Sequence, residues 1–220
     1  MTQLEPAPGA GPALRVSSDE LQLPTERRLI LAAERLFAER GVDAVSLRAI
    51  NAAAGTNVAS LHYHFGSKEA LLEALIRERS QEVSQRRALR LDRLEAGKRV
   101  SARGLAEAFV VPVAEMANSG GEAWVRFIAG LISSGHPALS IVTHGFFDQA
   151  RRFHALLRKV HPDWRDGTVL FRLSQAMYLT FRVLGDVPGV QSTLAGGGVR
   201  INHDEIVDEL IDLVTAQLKD

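Results

Sequence analysis

From Thr25 onward, apolar residues recur every three or four positions, and the recurrence is interrupted by glycine and proline rather than by strand-like alternation. That period is helical, so the sequence predicts an all-α chain. The expected helices run from Thr25 to Arg40, Leu47 to Ala54, Val58 to Phe65, Lys68 to about Leu94, Leu105 to Asn118, Ala123 to Ser134, Leu139 to Val160, Asp163 to Leu184 and His203 to Leu218. GSKE, SGG, SSGHP, VHPDW and LGDVPG supply breaks, and AGGGV extends the last into a long loop before the final helix. The stretch from Met1 to Gln22, rich in Pro, Gly, Ala and Ser, is expected to be a flexible tail in which Arg15 could serve as an arm.

The segment from Ser46 to Leu75 is the most informative. Ser46 is a good N-cap for a helix whose Leu47, Ile50 and Ala54 share one face, while Arg48 points elsewhere. Gly55 ends that helix, because a glycine accepts the left-handed conformation that lets the chain turn at once. Asn57 caps the next helix, whose Val58, Leu61 and Phe65 form an apolar stripe and whose Ala59, Ser60, His62 and Tyr63 face outward. Two short helices meeting at a glycine are the layout of a helix-turn-helix, with the second helix placed to enter a DNA major groove. Ala59 and Ser60 are small enough for close approach to base edges, His62, Tyr63 and His64 can donate to phosphate oxygens, and Lys68 adds a cation. The plainer alternative, that HYHF only packs the small domain, is preferred for Phe65.

This segment resembles the TetR family of bacterial transcriptional regulators. The resemblance runs from Thr25 to about Leu75 and rests on TERRLILAAERLFAERGVDAVS, with Ala33, Phe37 and Gly41 at the expected places, then LRAINAAAG, then SLHYHFGSKEALL. The chain departs from the common pattern at Thr56, where valine is usual, at Asn57, where serine or threonine usually caps, at Ala59, where glycine is frequent, and at His62, where tyrosine is commonest. The resemblance implies a homodimeric, ligand-responsive regulator, most often a repressor, bound to a near-palindromic double-stranded operator. It places Ser46, Arg48, Asn57, Ala59, Ser60, His62, Tyr63, His64 and Lys68 at the DNA, with Arg48, Ser60, Tyr63, His64 and Lys68 matching positions that contact DNA in relatives. The implied division is a tail over 1–22, a DNA-binding domain over 23–70 and a ligand-binding and dimerisation domain over 71–220.

Charge changes this picture in one respect. The 220 residues hold 26 Lys and Arg against 26 Asp and Glu, and residues 1–80 hold nine basic and ten acidic side chains. Counterion release by one such domain is modest, so two domains acting together become a functional requirement. Residues 81–103 carry seven basic and three acidic side chains, expected to form a solvated helix face. The 46% hydrophobic content is enough for a buried core, and the absence of cysteine removes disulfides, thiolate metal sites and cysteine catalysis, which suits a reducing cytoplasm. Neither a signal pattern nor an uninterrupted apolar run of membrane-spanning length is present, so a soluble protein is expected.

In the larger domain, Trp124, Phe127, Phe146, Phe147, Met177 and Tyr178 could line a cavity, with Arg126 or His144 orienting a polar or acidic group; core packing is the competing role for each. The stretch from Phe127 to Leu184 resembles relatives that bind fatty-acyl or other hydrophobic carboxylic compounds, which implies a small hydrophobic effector. Arg172, Gln175, Leu179 and Arg182 form a partly polar stripe beside Phe171, Ser174, Tyr178 and Phe181. Either that helix has one solvated and one core edge, or it joins Ile206, Leu210, Leu213 and Val214 of the last helix in a four-helix dimer interface, as the resemblance implies. The chain lacks a GxSxG elbow, a phosphate loop, a dinucleotide fingerprint and an HExxH pair, so no enzymatic activity and no cofactor are expected. His144 and Asp148, one turn apart, are too few for a metal site.

Overall fold

The computed structural model describes residue 17 and residues 19–219. Arg15 and most of the expected tail lie outside the described residues. Within them, Glu20–Gln22 forms a 3-10 turn that Arg35 anchors through Glu20. Ten α-helices follow among the described residues: α1 (Thr25–Arg40), α2 (Leu47–Ala53), α3 (Val58–His64), α4 (Lys68–Ala96), α5 (Ala102–Met116), α6 (Glu122–Ser134), α7 (Leu139–Val160), α8 (Asp166–Leu184), α9 (Val187–Gly196) and α10 (His203–Lys219). No strand occurs among the described residues.

One helix was not expected. The region after LGDVPG contains α9 because Asp186 caps it, accepting the Gly189 N–H at 3.2 Å, and Pro188 sits within the first turn, where its missing N–H costs nothing. None of its residues is buried, which is why apolar periodicity did not reveal it. Between α5 and α6 the chain passes through a π turn, Ala117–Gly121, in which Gly120 takes φ +88°, so SGG bends the path without opening a loop.

The helices assemble around α4. Its 29 residues span about 44 Å at the α-helical rise, and it packs on α1 near its start and on α5 and α7 further along. Helix α6 bridges back to α1, where Phe37 meets Phe127 with ring centroids 5.7 Å apart, and α10 lies along α5 and α8. The apolar core is continuous from Leu29 to Leu218.

Two charges are sealed between α1 and α4. Glu34 and Arg79 are both buried, with Arg79 Nε donating to Glu34 Oε2 at 2.7 Å and Nη2 to Oε1 at 3.2 Å. Against the pull of burial, the Glu34 carboxylate and the half-buried Glu82 hold the Arg79 guanidinium above its ordinary value. A fork of this kind fixes the register of the two helices, since neither charge tolerates losing the other in a low-dielectric interior. We expect Glu34→Ala to lower the unfolding free energy by about 3–5 kcal/mol. The double change Glu34→Leu with Arg79→Leu should recover most of that loss in urea titrations, because it leaves no buried charge unpaired.

Candidate functional site

The surface built by α2 and α3 depends on three side-chain caps. The Ala49 N–H donates to Ser46 Oγ at 3.2 Å, the Ser60 N–H to Asn57 Oδ1 at 2.9 Å and the Ala70 N–H to Ser67 Oγ at 3.1 Å. Each satisfies a donor that a helix start leaves without an intrahelical partner. Gly55 at φ +62° and Gly66 at φ +76° supply the left-handed turns before and after α3.

The α2–α3 turn carries a side-chain lock. Asn51 is buried, its Nδ2 donates to Leu47 O at 2.9 Å, and its Oδ1 accepts from Thr56 Oγ1 at 2.9 Å while the Thr56 N–H donates to Asn51 O at 2.9 Å. The threonine in place of the family's usual valine is thus the hydroxyl partner of a buried amide.

Leu61 is fully buried, Ile50 and Leu71 likewise, and Phe65 is half-buried, so one edge of α3 is glued to the core. On the other edge Tyr63 is 86% exposed, with Ala59, His62 and His64 exposed around it. Arg48, Ser46 and Asn57 are also exposed, and Lys68 is half-buried at the start of α4. The expected contact residues are thus all exposed or half-buried, and none is sealed in the core. Two of them have less freedom than their types suggest. Ser60 Oγ donates to Asn57 Oδ1 at 2.9 Å, and His62 Nδ1 sits 2.9 Å from Gly66 O. A carbonyl can only accept, so Nδ1 carries the hydrogen and Nε2 can donate to a phosphate only when the ring is protonated.

In the larger helical region a cavity of about 30 Å³ opens between α4, α5, α6, α7 and α8. Of the residues expected to line one, Trp124, Phe146 and Met177 do. Phe127 is buried against Phe37 instead, Arg126 is paired with Glu122 at the surface, and His144 is exposed with its Nδ1 at Ser140 O. Phe147 and Tyr178 are exposed as well. Phe181, about one turn beyond Tyr178, also lines the cavity, and its cation is Arg87. That residue belongs to the segment expected to be a solvated face, yet it is buried. The signal was present in the sequence: Leu75, Arg79, Val83, Arg87 and Leu91 recur every four residues on the buried edge of α4.

The expected dimer residues divide in the same way. Ile206 and Leu210 are buried within the protomer. Arg172 lies 4.2 Å from the Trp164 ring centroid and donates to Gln217 O, while Gln217 Nε2 donates to Arg172 O at 3.0 Å, so the two residues clamp α8 to α10. Gln175 and Leu179 are half-buried and Arg182 is exposed. The large apolar side chains left uncovered on these two helices are Leu170, Phe171, 64% exposed, and Tyr178 on α8 and Leu213, 56% exposed, on α10.

Among the described residues, no single helix is long and apolar enough to cross a membrane, and no group of three or more His, Cys, Asp or Glu could hold a metal ion.

Comparison with known proteins bears on both regions. Residues 29–75 match the family described as bacterial regulatory proteins, tetR family, and residues 107–216 match the tetracyclin repressor-like C-terminal domain. Over 53 residues the chain is 40% identical to the HTH-type transcriptional regulator UidR of Escherichia coli strain K12, a match covering 24% of this chain and 27% of that protein. The chain thus spans about a quarter of the length of the curated relatives it matches. Among solved structures, GusR of Salmonella enterica superposes with a TM-score of 0.56 at 19% identity, covering 90% of this chain and 97% of that one. A putative tetR family regulator of Shewanella sp. PV-4 gives a TM-score of 0.62 at 14% identity over 88% and 97%. A TetR-family regulator of Streptomyces coelicolor gives 0.59 at 18% identity over 94% and 97%. At these identities the superpositions speak for the fold.

The Asn51 lock yields a test. Thr56→Val restores the family's usual residue but leaves Asn51 Oδ1 buried without its donor, and we expect a loss of about 1–3 kcal/mol in thermal or urea unfolding. Asn51→Ala combined with Thr56→Val should cost less than the two single changes summed.

Proposed function

The chain belongs to the TetR family of bacterial regulatory proteins, and from that premise we propose that it works as a homodimeric repressor, released from a near-palindromic operator by a small hydrophobic effector. As a member of that family it is a transcriptional regulator with a helix-turn-helix DNA-binding domain. Within this reading, residues 23–70 bind DNA and residues 71–220 bind the effector and the second subunit.

The observation that carries the reading is the two-sided character of α3: Leu61 is fully buried and Tyr63 is 86% exposed on a helix of seven residues. An exposed tyrosine beside two exposed histidines serves no packing purpose, but it supplies donors at the height of a phosphate backbone. Ala59 and Ser60 at the N-terminal half of α3 sit where base edges are read, and Arg48 and Lys68 flank them as cations. With no net positive charge over residues 1–80, one such surface binds weakly, and two joined in a dimer gain from effective concentration. The uncovered apolar side chains Phe171, Tyr178 and Leu213 on neighbouring α8 and α10 support that pairing, since a helix pair with such a face gains by covering it with its twofold copy.

Effector action then follows from population shift. A small molecule that prefers a form with the wrong distance between the two recognition helices lowers operator occupancy, and a tenfold loss requires about 1.4 kcal/mol of differential affinity.

Selection of bound sequences from a randomised duplex pool should recover a palindromic site, and the absence of any enriched palindrome would defeat the proposal. On the recovered site, Tyr63→Ala and Lys68→Ala should weaken binding to all sequences, with Lys68→Ala also reducing the slope of log K against log salt by about 1. Substitution of Ser60 should instead change which sequences are preferred. For the assembly, Leu213→Asp or Tyr178→Glu should shift the protein from dimer to monomer in sedimentation velocity runs and abolish operator binding with it. A dimer that survives both changes places the interface elsewhere.

A further inference from the structure

Arg87 is the one buried guanidinium in the described residues whose hydrogen-bond partners are all neutral. It is 5% exposed, and its Nη1 and Nη2 donate to Gln149 Oε1 and Phe109 O, each at 3.1 Å. Its charge centre lies 5.1 Å from the ring centroids of both Phe109 and Phe146. Burial pushes its pKa down to about 9, so the group still carries its charge at neutral pH.

Arg79, two turns earlier on the same helix, shows what such a residue normally has in a protein interior, namely a carboxylate. Around Arg87 the missing partner is matched by missing acceptors. Arg87 Nε, Trp124 Nε1 and Ser80 Oγ are all buried without a hydrogen-bond partner in the protein, and all three residues line the same cavity. The first two can only donate and the third can donate. Phe109, Phe146, Met177 and Phe181 supply apolar walls. A site with one fixed cation, unpaired donors and aromatic surroundings is complementary to a monoanion carried on an apolar body. A phosphate dianion would leave one charge uncompensated there, whereas a carboxylate would not.

We propose that this cavity is the effector site and that the effector is an apolar small-molecule carboxylate whose acid group pairs with Arg87. This deepens the effector-responsive reading by giving the effector a chemistry, and it rests on that reading only for the consequence at DNA. The 30 Å³ present takes the acid group, and a longer body displaces the wall, where Phe146 is half-buried and Met177 is flexible. Ser80 and Arg87 both stand on α4, whose first residue is Lys68, so displacement at the cavity is felt by the helix that begins at the DNA-binding surface.

The test uses the full chain and matched probes: phenylacetate and octanoate against their amides and amines, by thermal shift and calorimetry. The acids should raise the melting temperature by about 2–4 °C at saturation, and the amides and amines should not. Arg87→Met should reduce acid affinity at least tenfold. Gln149→Glu, which sets a carboxylate beside Nη1 and so compensates the guanidinium from within, should do the same in a protein that keeps Arg87, and it covers the case in which Arg87→Met fails to fold. Amides that bind as well as acids, acid affinity unaltered in Gln149→Glu, or no shift with any acid would overturn the proposal. Arg87-dependent acid binding that leaves occupancy of the selected operator unchanged upholds the site and overturns the effector reading instead.

Discussion

The continuity of α4 is the constraint on which the remaining structure depends. A single 29-residue helix starts at the DNA-binding surface, passes the ion pair with α1 and runs on beneath the cavity. A helix that keeps its hydrogen-bond ladder moves nearly as a rod, so its two ends cannot adopt independent positions. The Glu34–Arg79 fork ties the rod to α1 in a geometry that a purely apolar contact would not specify, because sliding by one turn would strand both charges. Phe37 against Phe127 gives a second tie, from α1 to α6, so the N-terminal helices are held from two sides.

Charge is used in two different ways along that rod. Arg79 is satisfied inside the protein and confers register. Arg87, eight residues later and on the same edge, is placed among rings and neutral acceptors with part of its hydrogen-bonding capacity unused. Its Nη2 also serves Phe109 O in α5, one residue beyond the Ala108 carbonyl that Pro112 leaves without an N–H donor, so the guanidinium reinforces a helix turn that proline weakens. A buried cation with a structural partner on one side and unpaired donors on the other is poised for a ligand without being free to wander.

The helix-turn-helix was almost wholly legible in the sequence, and the reason is local. Ser46, Asn57 and Ser67 cap by reaching three residues ahead, and Gly55 and Gly66 turn by virtue of their own backbone freedom. None of these interactions needs a distant partner. The Thr56 departure was visible as a departure, but its meaning required seeing Asn51 Oδ1 beneath it. Helix α9 escaped notice for the opposite reason, since it buries nothing and so imprints no apolar period.

What the sequence determined on its own was the all-α class, the order of nearly all the helices and the outward face of α3, because capping, glycine turns and a 3.6-residue period are written in neighbouring residues. What only the tertiary structure decided was which residues of the larger region meet. Phe146 rather than Phe147, Phe181 rather than Tyr178 and Arg87 rather than Arg126 face the cavity, and Leu213 rather than Ile206 or Leu210 remains uncovered. A helix bears apolar residues on several edges, and the choice among them is made by the helices packed beside it, whose positions depend on contacts between residues far apart in the chain.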